Sequence, residues 1–560
     1  MSGGPHLVGW TCGPVQEFIA TARRTLDLWF GSWVLSEVAR AAAEAAVDRG
    51  ATLVLPHALP SPEVGLPNQL VLRTDGDPQV LGQVMSDAAR RRLSDIARRV
   101  FDRIEGWRIA LDRIEAEAQV ADLLEITWAS VPLDDARFQA DRQRLAKLVA
   151  GVKAHRRFDA PTWGSHRPKS SLDGAREAVV RLDARSANRL RARDNESLDA
   201  IALLKRLGPD VVTARRLPSV SSYALRPFLD RVSAPADAAV AAYRRALAEA
   251  EVDHHPSPVS LPVIGDLDPH LVYPGRLHEH ISDPATLAPH LRALLRALGG
   301  GEPSPYYAVL LADGDRMGAC LDACDTQARV TDVSRALTAF TAAVPGWADD
   351  HDAGVVYAGG DDVLALVPVD RALCAASALR DRYTERVARP VDGLSLRDGT
   401  GPVTTTLSVG VAIGHHLEPL SDVLARAREA EGAAKGAGRD AWAIRVGVRS
   451  GAVLATEARW RPREQPFGAL GVLVRLLQEG AAENGEATMS RGLAYDLRTA
   501  AARLPPDSKE IARSEGRRVF AQKELVPAWE QVECEVKGPS DLVRLADQLG
   551  IARWLTGEAR

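Results

Sequence analysis

The sequence predicts an α+β protein built on two ferredoxin-like βαββαβ units, accompanied by helical domains. Three observations carry this. Apolar runs of strand length alternate with long stretches of helical spacing, in the same order twice. A glycine pair, Gly359-Gly360, breaks the apolar stretch VVYAGGDDVLALVP at 355–368 and reads as a tight hairpin turn. At 560 residues the chain is too long for one ordinary domain, and a content of 46% hydrophobic residues supplies several cores.

Taken in order, residues 1–152 form the first unit. HLVGWTCG reads as a strand, VQEFIATARRTLDLWFGSWVLSEVARAAAEAA as a long helix, and ATLVLP with LPNQLVLRT as a hairpin with a long connection. A further helix then precedes the strand LEITWASVPL. Residues 153–300 read as a mainly helical linker domain. Its start is basic: residues 153–195 hold eleven Lys or Arg against five Asp or Glu. Such a run is a solvated face or a surface for RNA backbone or an acidic partner.

Residues 301–450 repeat the order with more legible signals. YYAVLLADGD is a strand ending in acids, ACLDACDTQARVTDVSRALTAFTAAV a helix, and GVVYAGGDDVLALVP the hairpin. The helix RALCAASALRDRYTERV and the strand TTTLSVGVAIG complete the unit, with an extra helix SDVLARAREAEGAAKGAG and strand DAWAIRVGV after it. Residues 451–560, rich in Ala and Leu at helical spacing, read as a C-terminal helical domain.

In the βαββαβ order the first and second strands run parallel with the third between them. The end of the first strand and the tip of the hairpin therefore meet at one sheet edge. That gathers Asp313 and Asp315 with Asp361 and Asp362. Two carboxylates about 4 Å apart repel by roughly 4 kcal/mol at an effective dielectric near 20. Such a group calls for cations, and carboxylates suit Mg²⁺ or Mn²⁺, a pair of which activates a 3′-hydroxyl and holds a triphosphate. Lys435 and Arg439 in AAKGAGRD, at the end of a helix returning to the sheet, are the candidate triphosphate contacts. In the first unit Gly13-Pro14 ends the strand and no GGDD joins the hairpin, so it reads as a degenerate copy sharing a composite nucleotide site.

Composition narrows the setting. A net charge of −4 excludes a chain coated in positive charge, and no apolar run reaches the roughly 18 residues that cross a bilayer. The start MSGGPHLVGWTCG lacks a secretion signal, and the five scattered cysteines read as reduced thiols, so a cytoplasmic protein is expected.

These motifs resemble the large, polymerase-like subunit of type III CRISPR effector complexes, specifically the III-B (Cmr) branch. The resemblance rests on GPVQEFIATARRTLDLWFGSWVLS, GLPNQLVL, ALLKRLG, RLPSVSSYA, SPYYAVLLADGDRMG and YAGGDDVLALVP. It implies two palm domains of the nucleotidyl-cyclase kind, and partner subunits, guide RNA and target RNA, with no membrane. Target binding would switch on conversion of ATP, with two Mg²⁺ or Mn²⁺ ions, to cyclic oligoadenylates. Carried over by position, Asp313, Asp361 and Asp362 would be metal ligands and catalytic residues. Gly359 and Gly360 would shape the hairpin, with Asp315, Lys435 and Arg439 on the nucleotide.

Two departures from that family stand out. The chain starts directly at the first palm-like unit, and His351-Asp352 is its only His-Asp pair, so no HD nuclease and no DNase activity are expected. APTWGSHRPKSSLDGA holds no cysteine where relatives often carry a zinc site, so no zinc is expected. Two rivals remain. A diguanylate cyclase would show GGDEF and a guanine-reading asparagine, where this chain has GGDD and Leu321. A catalytically silent scaffold of the RNA-binding complex would have no need of the clustered acids.

Overall fold

The computed structural model describes residues 4–557, other than 62–63, 156–165, 193–195, 213–216, 253, 255, 400, 449–452, 463–464 and 485–491. Parts of the basic segment 153–195 and of APTWGSHRPKSSLDGA therefore lie outside the described residues.

The first unit runs β1 (His6–Gly13), helix Thr25–Val47, β2 (Thr52–Leu55), β3 (Gln69–Thr74), helix Pro78–Gly106 and β4 (Glu125–Pro132). Its sheet order is β2-β3-β1-β4, antiparallel throughout, which is the βαββαβ arrangement. Helix Pro78–Gly106 begins cleanly because Asp77 accepts from the Gln79 amide at 2.8 Å and Pro78 takes the first helical position. A helix at Phe138–Ala154 then covers the sheet's other face, where a Cβ on Gly9 would meet Val149 at 2.9 Å.

The second unit runs β5 (Tyr306–Asp315), helix Gln327–Asp350, β6 (Gly354–Gly359), β7 (Asp362–Val367) and helix Ala372–Tyr383. A small ribbon of β8 (Arg397–Asp398) and β9 (Gly401–Pro402) follows, then β10 (Thr406–His415), helix Leu420–Gly436, β11 (Ala441–Gly447) and β12 (Val453–Arg459). The sheet order is β12-β11-β10-β5-β7-β6. The four strands β10-β5-β7-β6 repeat the first unit's order.

Three details differ from the sequence reading. The helix expected from Ala319 is broken into Met317–Asp322 and Gln327–Asp350, because Thr326 turns to extended backbone and caps the second helix through the Arg329 amide. The sheet continues past 450: β12 pairs antiparallel with β11, and Thr456 on it accepts from Gln548 of the C-terminal helices. Its signal, VLATEAR, is short and has a single buried residue, so it lacks the apolar alternation that marks a strand. The extra helix after the last strand is also present in both units.

β5 divides two hydrophobic cores. Tyr306, Ala308, Leu310 and Ala312 pack with helices Gln327–Asp350 and Ala372–Tyr383 and with the C-terminal helices. Tyr307 and Val309 face the other way, into a core shared with helix Leu420–Gly436, the linker domain and the first unit. This period-2 division decides which face carries Asp313 and Asp315.

Candidate functional site

Asp313 and Asp315 lie on the Tyr307–Val309 face, at the end of β5 and opposite Ser408 and Thr406 of β10. Asp315 is buried and fully engaged. Its oxygens accept from Ser408 Oγ at 2.8 and 3.0 Å, Thr406 Oγ1 at 2.7 Å and the Asp440 amide at 3.0 Å. Its carbonyl accepts from Thr405 Oγ1 at 2.8 Å. The sequence reading grouped Asp315 with nucleotide contacts; its carboxylate instead faces protein donors. It ties the turn carrying Arg439 to the sheet.

The hairpin closes in the least chain length available. Gly359 pairs with Asp362, leaving Gly360 and Asp361 as the central pair. Gly360 has a φ of 67°, the requirement of a II′ turn at its first central position, met at no steric cost by glycine. Asp361 then approaches β5 closely. A Cβ on Gly314 would lie 2.6 Å from Asp361 Cβ and 2.5 Å from the Tyr383 hydroxyl, so no side chain fits there without displacing the tip.

The electrostatics follow from this packing. Burial, reinforced by the charge of Asp313, pushes the Asp361 carboxyl up to about 7. Burial likewise raises Asp362, which is hydrogen-bonded to Asp313 and repelled by Asp361. A countercharge faces them. Lys435 Nζ lies 2.5 Å from Asp313 Oδ2 and 2.5 Å from Glu431 Oε1. Burial pulls this ammonium down, but the hydrogen bonds to Asp313 and Glu431 outweigh that and hold it above the ordinary lysine range. Arg439, exposed and with a φ of 61°, sits in the turn after the same helix.

The topology thus brings Asp313, Asp361, Asp362 and Lys435 together. Among the described residues, the three carboxylates do not converge within 4.8 Å of one another as a ready ion site. Repulsion and the lysine account for that: Lys435 neutralises Asp313, and Asp313 and Asp362 are bridged by a hydrogen bond. Hard oxygen donors with raised affinity for a positive charge fit Mg²⁺ or Mn²⁺. Sequence reasoning missed Ser408, Tyr383 and Glu431. Thr406 and Ser408 did carry a signal, two hydroxyls on one face of a strand. Tyr383, donating to or accepting from Thr405 at 2.7 Å, carried none.

Elsewhere, His351 is bonded through Nδ1 to the Trp347 carbonyl at 2.8 Å, and Asp352 pairs with Arg226 at 2.7 Å and with Arg371. Helix Thr25–Val47 of the first unit packs on β6, and a Cβ on Gly65 would stand 2.9 Å from the Ala358 carbonyl. The two units therefore meet beside the hairpin. A cavity of 1490 Å³ lies elsewhere, lined in part by His416–Ser421 past the far end of β10, roughly 23 Å along the strand from Ser408.

Residues 306–443 match the family described as Cas10/Cmr2, second palm domain, and residues 7–90 match CRISPR-associated protein Cmr2, N-terminal. A relative from Pyrococcus furiosus, CRISPR system Cmr subunit Cmr2, is 30% identical over 188 residues, which are 29% of this chain and 20% of that protein. The match thus spans about a fifth of that relative's length. Two solved structures share the fold. The type III-B Cmr-beta in the apo state has a TM-score of 0.64 at 14% identity, covering 93% of this chain and 77% of that one. The Cmr-beta bound to cognate target RNA has a TM-score of 0.64 at 13% identity, covering 99% and 83%. Among the described residues no helix is long and apolar enough to cross a membrane. Cmr2-like sequence thus lies on the first unit and Cas10/Cmr2 palm-like sequence on the second.

Proposed function

We propose that this chain is the large subunit of a type III-B CRISPR effector complex and polymerises ATP into cyclic oligoadenylates once target RNA is bound. The observation that carries the reading is the meeting of Asp313, Asp361 and Asp362 at one sheet edge, with Lys435 as a close countercharge. The fold likeness to a Cmr-beta that binds cognate target RNA supports the partner assignment. The cytoplasm is the expected compartment.

In each linkage a 3′-oxygen attacks the α-phosphorus, the bond to the bridging oxygen breaks and pyrophosphate leaves. Bound Mg²⁺ or Mn²⁺ would lower the pKa of the attacking hydroxyl and neutralise the phosphate charge. Asp313, Asp361 and Asp362 would hold the ions, each shedding its proton or its lysine partner to do so. Lys435, freed from Asp313, is in reach of a phosphate, and Arg439 faces solvent where the β- and γ-phosphates would extend. Gly314 and the II′ turn fix the Asp361 backbone, so positioning costs no reorganisation during reaction. Asp315 holds the Arg439 turn against β10. The first unit, packed on β6, would seat the second nucleotide.

The test incubates the purified complex with ATP, Mg²⁺ and cognate target RNA and identifies small products by mass spectrometry. Cyclic oligoadenylates are expected, and GTP, with Leu321 at the position that reads guanine in diguanylate cyclases, should be used poorly. RNA binding without any nucleotide product would establish the scaffold; equal use of GTP would reopen the cyclase reading.

A further inference from the structure

The linker domain carries a second set of ligand-type residues, unrelated to the carboxylates of the second unit. Asp268, His270 and His280 place one donor atom each within 4.8 Å of one another, the one such group among the described residues. Asp268 is buried at 4% exposure, and its Oδ1 lies 3.2 Å from His270 Nδ1. Tetrahedral zinc ligands at 2.0–2.1 Å stand about 3.3 Å apart, so this pair already has the separation required. The rings of His270 and His280 lie nearly parallel at 6.0 Å between centroids. All three residues line the 1490 Å³ cavity, so a fourth position is open to water.

The surrounding segment explains why a cross-link belongs here. From Pro269 to Thr286 the chain forms only 3₁₀ turns, Pro269–Val272, Pro274–Glu279 and Pro284–Thr286. Such turns hold few bonds of their own. Between the two histidines, Arg276 donates to Ser221 Oγ at 2.9 Å, which is 3.1 Å from His416 Nδ1, next to the end of β10.

We infer that Asp268, His270 and His280 bind one Zn²⁺-class divalent cation, which closes the 268–280 segment into a loop that presents Arg276 to Ser221. Two imidazoles and one carboxylate suit zinc and its neighbours, whereas the all-oxygen group at Asp313, Asp361 and Asp362 suits Mg²⁺. The two sites are thus separated by ligand chemistry.

The experiment uses the full chain in an Asp361→Asn/Asp362→Asn background, so that the carboxylate site contributes no zinc, with millimolar Mg²⁺ present. Zn²⁺ alone is titrated by calorimetry, and Co²⁺ absorption reports the geometry. One equivalent should bind, with Co²⁺ giving tetrahedral d–d bands, and Zn²⁺ should raise the melting temperature. His270→Ala/His280→Ala should lose the equivalent and the bands. Asp268→Asn, which retains the cap on the His270 amide and so the fold, should weaken binding at least tenfold. No zinc uptake, or uptake unchanged by these substitutions, would show that Asp268 and His270 form an ion pair only and overturn the site.

Discussion

The two βαββαβ units share a strand order, and the candidate metal and nucleotide residues lie on the second. Aligned by strand register and by the face toward their own helices, Thr11 stands where Asp313 does, Gly13 where Asp315 does and Gln69 where Asp362 does. The hairpin connection is 56–68 in one and two residues in the other. Each unit has a helix on its second face: Phe138–Ala154 in the first and Leu420–Gly436, carrying Lys435, in the second. Both are held by apolar cores that do not involve these residues. Strand order is therefore indifferent to the strand-end acids, and a unit can lose its charges while keeping its shape.

The largest effect expected on this contrast is catalytic. Asp361→Ala/Asp362→Ala should make the second unit as silent as the first, lowering nucleotide product by about 10³-fold or more, since charge neutralisation by bound metal is lost. Folding should be unharmed, because burial and mutual repulsion disfavour both charges in the native state. RNA binding, measured on the same variant, should persist. Product at the wild-type level would refute the assignment; collapse of RNA binding would make the pair structural.

Lys435→Met should give the next largest effect, roughly 10- to 100-fold in turnover. Its sign on metal binding is the sharper readout. With no ammonium on Asp313, Mn²⁺ should bind more tightly even as turnover falls. A fall in both would reduce the lysine to a structural partner of Glu431.

How much of this was legible is decided by the range of each signal. Asp361 and Asp362 could be read because a turn and two flanking strands are local, and a known strand order then brings Asp313 beside them. Asp315 announced itself equally well by type. Its burden of hydrogen bonds came from Thr406, Ser408 and Asp440, about ninety or more residues away, which no spacing reveals. The Asp268, His270 and His280 group was overlooked for the same reason: its segment has neither a helical nor a strand period. β12 was overlooked because an edge strand with little burial shows no alternation.

Backbone approach separates the units as well. Gly314→Ala should cost about 1–3 kcal/mol, since the new methyl would enter the space of Asp361 and Tyr383. Gly13→Ala, with only Glu125 Oε2 at 3.9 Å, should cost under about 0.5 kcal/mol. Denaturant melts of both variants decide this, and equal costs would mean the hairpin tip yields freely.

The smallest expected effect is the dependence of metal-free stability on pH, and its sign is fixed by the direction of the shifts. Asp361 titrates near 7 in the folded chain and Asp362 is also raised, against about 3.9 unfolded. Between these limits the folded state holds more protons than the unfolded one. Stability is then complete below about pH 4 and falls as pH rises through 7. Partial exposure of both groups reduces the fall attributable to them to about 1–2 kcal/mol. Asp199 and Asp370, each pushed up by burial to about 6, titrate in the same window. The comparison with Asp361→Asn/Asp362→Asn removes their contribution. In chelator, the wild type should lose melting temperature relative to that variant from pH 5 to 9. Adding Mn²⁺ should reverse the trend, because metal binds the deprotonated carboxylates and gains affinity as protons leave. Parallel melting curves for the two proteins would show that the carboxylates ionise as freely as surface acids, and the second unit would then differ from the first in residue type but not in electrostatic state.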